Sequence, residues 1–328
     1  MKPSRSGNMT ETERAAFVIG SRGSRLARWQ AEHVASFLGP DVEIRIIKTS
    51  GDLFLDRPLQ GQDTKGFFTK EIEEELLDGR IDLAVHSLKD LPTQLPPGLT
   101  LAVVSRRAAV ADLLLVRPER VDAARPFPVA DGAVVGATSL RRQAMLRRFA
   151  PHVGAAMLRG NVPTRVDKLK RGDYDAIILA AAGVERLTLD LSGLAAFELN
   201  PRLWLPAPGQ AALGIETREN DARIRAALAA FHDETAWRAV RVERELLNRF
   251  EGGCHVAFAA FAEPKAQGMT LAVGVEDEAG RWLAVRVEAD GDEAAQEAAW
   301  DKLMRVVKTG HEEDDWERAL CRERRPSS

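Results

Sequence analysis

Short apolar runs, separated by glycine and polar turns, set the rhythm of the first two-thirds of the chain. Phe17-Val-Ile-Gly20 predicts a short buried strand, followed by a turn and a helix over 24–38. A partly alternating run over 42–47 predicts a second strand. A glycine-bearing loop over 51–66 leads to a predicted helix near 67–78, which Gly79 ends at the C′ position. The run 81–85 predicts a third strand. The proline-rich connection Leu91-Pro-Thr-Gln-Leu-Pro-Pro-Gly98 excludes a helix, and strands follow over 99–104 and 113–116. The same rhythm restarts at 133–135, with a helix over 139–149, a strand near 155–158, a helix over 162–170 and a strand over 175–180. This alternation predicts an α/β class with mostly parallel sheets and helices on both faces. Ligands of such sheets bind beyond the carboxyl ends of the strands.

The pattern changes after about 235. A helix over 234–250 runs into Glu251-Gly-Gly-Cys254, three strand-like runs follow near 256–262, 269–276 and 282–288, and an alanine-rich helix covers 292–308. That predicts a small α+β domain, with a charged, frayed tail from Lys308. No internal repeat is visible in the sequence.

Arginines recur in the glycine- and serine-rich turns that end the predicted strands. Arg22 lies in Gly20-Ser-Arg-Gly-Ser24. Arg141 and Arg142 follow Ala137-Thr-Ser-Leu140. Arg159 sits in Leu158-Arg-Gly-Asn161, with Arg165 just beyond. Guanidinium forks bind carboxylate or phosphate bidentately, and Ser21, Ser24, Thr138 and Ser139 add hydroxyls beside helix N-termini. The chain carries a formal charge of −3, so a general attraction to nucleic acid is a poor explanation. A pocket for a small, multiply anionic ligand fits better. No Walker-type loop occurs.

Two further features carry chemistry. The third strand runs straight into His86-Ser-Leu-Lys-Asp90, where Asp90 can act as an acid or base or stabilise a developing cation. Cys254 follows two glycines and precedes His255. It reads either as a small buried hydrophobe or as an exposed, tightly turned thiol. With Cys321 as the second cysteine of 328 residues, neither a disulfide framework nor a metal ligand spacing emerges. No apolar run approaches the roughly 20 residues of a membrane-spanning helix, and the polar N-terminus lacks the apolar centre of a secretory signal. These features predict a cytoplasmic protein.

Eight stretches in order resemble the porphobilinogen deaminase (hydroxymethylbilane synthase) family: Gly20–Ala27, Lys65–Glu71, Val85–Pro92, Thr138–Gln143, Leu158–Asn161, Tyr174–Ala180, Leu205–Gln210 and Glu251–Cys254. The resemblance spans about 17–262. It implies two lobes like those of a periplasmic binding protein, formed by 15–108 with 209–232 and by 109–208, and a third domain over 233–328. It also implies a monomer that joins four porphobilinogen molecules with loss of ammonia, on a dipyrromethane cofactor attached to Cys254 as a thioether. Carried over by position, Asp90 and Lys89 are catalytic. Ser87, Lys89, Asp90, Thr138, Ser139, Arg141, Arg142 and Arg159 hold the cofactor. Arg22, Ser24, Lys65, Phe68, Arg165 and Gln210 hold the substrate, with Lys65 and Phe68 on a lid. This chain departs from the family where Ala211 replaces a common glycine after Gln210, at Ala137 and Thr138, and where a proline is missing after Cys254.

Overall fold

The computed structural model describes residues 16–50, 69–250, 257–310 and 320–323. Three sheets organise it. The first has strand order β2-β1-β3-β10-β4, with β1 Phe17–Ser21, β2 Val42–Ile46, β3 Leu83–Ser87, β4 Leu99–Val104 and β10 Leu213–Arg218. The second has order β14-β9-β5-β8-β6-β7, with β5 Asp112–Val116, β6 Val134–Gly136, β7 Gly154–Ala156, β8 Ala176–Ala180, β9 Ala195–Leu199 and β14 Cys321–Glu323. The third is the antiparallel meander β11 Phe258–Pro264, β12 Met269–Glu276 and β13 Trp282–Ala289.

The first two sheets share one plan. In each, a β-α-β unit supplies parallel neighbours, and one strand arriving from the other half of the chain is inserted antiparallel. β1 pairs parallel with β2 and β3, while β10 runs antiparallel to β3 and β4. β6 pairs parallel with β7 and β8, while β5 runs antiparallel to β8 and β9. The α/β class and two-lobed plan stand, but the sheets are mixed rather than mostly parallel. The reason is connectivity: the chain crosses between lobes twice, over 105–111 and 206–212, and each crossing delivers a reversed strand. The sequence pattern had no strand over 195–199 or 213–218. Residues 321–323, in the tail expected to fray, pair with β9.

Six helices follow the patterns that predict them, whereas those over 181–186 and 222–227 had no counterpart in the sequence pattern. α1 Arg25–Leu38 starts at the N-cap Ser24, whose side chain accepts from the Ala27 N–H. α2 Lys70–Leu77, α3 Leu140–Phe149, α4 Val162–Arg171, α5 Ala181–Arg186 and α6 Ala222–Ala227 flank the two large sheets. α7 Glu234–Arg249 and α8 Asp292–Thr309 cover the third sheet. Alternation along β11 explains its double packing: Ala259 and Phe261 join the core of the second lobe, whereas Phe258, Ala260 and Ala262 pack with α7 and α8. Among the described residues no helix is long and apolar enough to cross a membrane.

The two crossings and the third unit meet at Glu243 on α7, which is fully buried. Its carboxylate accepts from Arg107 Nη1 at 2.7 Å, the Gly209 N–H at 2.8 Å and the Ala262 N–H at 2.9 Å. Those donors belong to the first crossing, the second crossing and β11.

Candidate active site

Strand ends place the functional side chains. β3 passes directly into the short 3-10 turn Leu88–Asp90, which leaves Leu88 buried, Lys89 half-buried and Asp90 exposed. The turn is held from beneath by Arg244 of α7. Arg244 Nη1 donates to the Leu91 carbonyl at 2.8 Å and Nη2 to the Pro92 carbonyl at 2.6 Å. Gly209 makes close approach possible there: it sits at φ +71°, and a Cβ would lie 3.0 Å from Leu88 Cγ.

Across from this turn, in the second lobe, the N-terminus of α3 carries Arg141 and Arg142, both buried. Their guanidinium groups turn onto Asp112, at the start of β5. Arg142 grips it bidentately, with Nη2 at 2.7 Å from Oδ1 and Nε at 3.0 Å from Oδ2, and Arg141 Nη2 lies 2.8 Å from Oδ2. Burial alone would raise the Asp112 carboxyl, but the two arginines hold it far below the usual carboxylate range.

The lobes share one electrostatic neighbourhood. Lys89 is lowered to about 8, first by desolvation and then by Arg142 and Arg141, while Asp90 and Asp112 oppose the shift. Arg165 on α4 is lowered to about 10 by desolvation, with Arg142 in the same direction and Asp90 opposing. Arg165 Nε donates to the Gly160 carbonyl at 2.6 Å. Lys89 thus feels Arg141, Arg142 and Asp112 of the other lobe, and Arg165 feels Arg142 and Asp90.

The remaining expected residues divide. Ser24 and Ser139 are N-caps, accepting from the Ala27 and Arg142 N–H groups at 3.2 Å. Ser87 Oγ accepts from Gln30 Nε2 at 2.6 Å. All three hydroxyl protons remain available to a ligand. Thr138 differs, because its hydroxyl donates to the Leu158 carbonyl. Arg22 and Arg159 are half-buried at the ends of their lobes' turns. Gln210, expected on the substrate, is fully buried, and its Nε2 donates to the Val110 carbonyl at 2.7 Å and to Asp112 Oδ1 at 3.0 Å. It braces the crossings, where its backbone leads into Ala211. Lys65, Phe68 and Cys254 lie outside the described residues.

Two participants escaped sequence reasoning. Asp112 reads in sequence as the polar end of an apolar run. Arg186 ends α5, where its guanidinium lies over the Trp29 ring, 5.6 Å from the centroid, and donates to the Ala211 carbonyl at 2.7 Å. It is lowered to about 10 by burial. No glycine-rich turn flags either residue.

Fold and site together define a two-lobed protein with mixed sheets, cationic side chains of both lobes within electrostatic reach of one another, and a third unit packed against both crossings. Residues 17–226 match the family described as "Porphobilinogen deaminase, dipyromethane cofactor binding domain", and residues 237–299 match "Porphobilinogen deaminase, C-terminal domain". A porphobilinogen deaminase of Maridesulfovibrio salexigens is 44% identical over 308 residues, covering 92% of each chain. One from Paraburkholderia phytofirmans is 49% identical over 250 residues, covering 75% of this chain and 71% of the relative. A Salmonella typhimurium periplasmic binding protein overlays at a TM-score of 0.37 and 11% identity, covering 67% of this chain and 93% of that one, a likeness too loose to bear on the ligand. The chain belongs to the porphobilinogen deaminase family. It is accordingly a transferase of tetrapyrrole synthesis with a dipyrromethane-binding domain.

Proposed function

We infer that this chain condenses four porphobilinogen molecules head to tail into hydroxymethylbilane, with loss of ammonia at each joining, on a dipyrromethane primer held as a thioether by Cys254. One observation carries the assignment of the cleft: the buried guanidinium groups of Arg141 and Arg142 meet on a single carboxylate, Asp112, and Lys89 beside Asp90 lies within their electrostatic reach. A partly desolvated surplus of positive charge is costly unless a ligand brings counterions. Each pyrrole of primer, substrate and growing chain carries an acetate and a propionate, both ionised at pH 7. The donor set therefore suits the primer.

When bound, the dipyrromethane supplies the free pyrrole carbon to which the first unit is joined. The chain's own residues do the rest. Arg141, Arg142 and Arg159 hold primer carboxylates, and Arg22 and Arg165 hold those of the incoming unit. Ser24, Ser87 and Ser139 donate hydroxyl protons to the same anions. Asp90, exposed at the end of the 88–90 turn, accepts from pyrrole N–H groups and stabilises the cation left as ammonia departs. Lys89 keeps a positive charge beside Asp90 and orients carboxylates. Three units serve this work: 15–108 with 209–232 and 109–208 are the lobes of the cleft, and 233–328 presents Cys254. The protein acts as a cytoplasmic monomer on a small-molecule substrate.

Intact-mass measurement tests this reading. Protein from a host that makes porphobilinogen should exceed its sequence mass by one dipyrromethane, and Cys254→Ser should remove the excess. Wild-type protein without the excess, and without turnover of porphobilinogen, would overturn it.

A further inference from the structure

The reaction outlined above makes no use of Asp112, yet this carboxylate is the most heavily hydrogen-bonded group near the cleft. It is 1% exposed. Oδ2 accepts from Arg141 Nη2 at 2.8 Å, Arg142 Nε at 3.0 Å and Trp204 Nε1 at 3.0 Å. Oδ1 accepts from Arg142 Nη2 at 2.7 Å and Gln210 Nε2 at 3.0 Å. The donors come from α3, from Trp204 just before the second crossing and from Gln210 within it, and Asp112 itself follows the first crossing.

This arrangement fixes more than charge. Arg142 spends Nε and Nη2 on Asp112 and Nη1 on the Ile178 carbonyl at 3.0 Å. Arg141 spends Nη2 on Asp112 and Nη1 on the Leu205 carbonyl at 2.6 Å. Both guanidinium planes are thus set before a ligand arrives, and no rotamer freedom is left for binding to remove. One carboxylate between two arginines also leaves a net charge of +1. A second acid would cancel the attraction for a polycarboxylate, whereas no acid would leave two like charges buried together.

We propose that Asp112 is a positioning residue for the condensation, holding Arg141 and Arg142 as a preorganised, half-compensated cationic wall for the carboxylates of primer and substrate. It touches no reacting atom and acts through the arginines. Through Gln210 and Trp204 it also ties their orientation to the crossing between the lobes. The inference rests on the reading of the cleft given above.

Three variants test it. Asp112→Asn removes the charge at nearly constant shape, Asp112→Glu restores it, and Trp204→Phe deletes one donor without changing charge. Each is measured by intact mass for primer loading and by steady-state kinetics per loaded enzyme. For Asp112→Asn we expect loading below that of wild type and a KM for porphobilinogen raised about tenfold, the scale of a lost hydrogen bond to a charged group. Its kcat should change far less, because Asp90 is untouched. Asp112→Glu should recover part of the loading, and Trp204→Phe should raise KM by a few-fold at most with the fold intact. A folded Asp112→Asn with wild-type loading and KM would overturn the proposal. So would a smaller active fraction with unchanged KM, which is the signature of a structural brace alone. If Asp112→Asn fails to fold, Trp204→Phe decides, and an unchanged KM there is the overturning result. Wild type assayed alongside separates the two readings: no adduct and no turnover in wild type defeats the cleft assignment and this inference with it, whereas a defect confined to the variants bears on Asp112.

Discussion

Lys89 shows how the cleft acts on a single residue. A lysine ordinarily titrates near 10.4, and this one is lowered to about 8 by desolvation and by Arg142 and Arg141. Its folded value lies below its unfolded value, so the unfolded chain binds more protons between about pH 8 and 10. The unliganded protein therefore gains stability from this group as pH rises through that window. Binding has the opposite sign, because the carboxylates need the ammonium. KM for porphobilinogen should rise above about pH 8, and Lys89→Met should raise KM at pH 7 while flattening that alkaline limb. A pH series of KM for both proteins checks this, and an identical alkaline rise in the variant would remove Lys89 from carboxylate binding. The motif containing Lys89 and Asp90 was legible from sequence. The shift was not, since its causes sit on α3 and β5 of the other lobe.

Among the connecting elements, the second crossing is where this chain departs most tellingly from its family's pattern. Ala211 stands where the resemblance to the family implies a glycine, and the backbone there has φ +73°. A left-handed conformation costs an L-residue about 1–2 kcal/mol, whereas glycine costs about 0.4–1 kcal/mol through the unfolded chain. The strain is tolerated because the Ala211 carbonyl accepts both the Ala108 N–H at 3.1 Å and Arg186 Nη2 at 2.7 Å. Ala211→Gly should therefore raise the thermal midpoint slightly, by about 2 °C for a gain below about 1 kcal/mol. Calorimetry of the two proteins checks the sign, and a lower midpoint would show that the strain is absent in solution. The strands that follow the two crossings explain the missed directions of the sheets. β5 is an apolar run like any other, and β10, Leu-Gly-Ile-Glu-Thr-Arg, carries too little apolar pattern to read as a strand; neither says which lobe it joins or which way it points.

For the whole molecule, Glu243 is the point at which three units become one. It joins Arg107, Gly209 and Ala262, and both its oxygens are used. Removing one partner of a buried ion pair costs about 3–5 kcal/mol. Glu243→Gln keeps the size but removes the charge opposite Arg107. The thermal midpoint should fall by about 6 °C or more, with primer loading reduced because α7 leads directly into the segment carrying Cys254. Differential scanning calorimetry and intact mass check both effects. A stable, fully loaded variant would show that the crossings are held mainly by apolar packing.

Period-two and period-3.6 patterns, with glycine and proline punctuation, determined by themselves that the chain is an α/β protein with a small α+β end, because those patterns depend only on near neighbours. Ordered motifs likewise pointed to the family and to Asp90, Lys89 and the arginine turns. Tertiary structure alone decided that β5 and β10 are exchanged between lobes, that Gln210 is buried bracing a crossing, and that Arg141 and Arg142 are bound to Asp112. Each of those depends on residues at least 29 positions apart meeting in a dry interior, where Coulomb attraction and hydrogen bonding choose partners that no local pattern encodes.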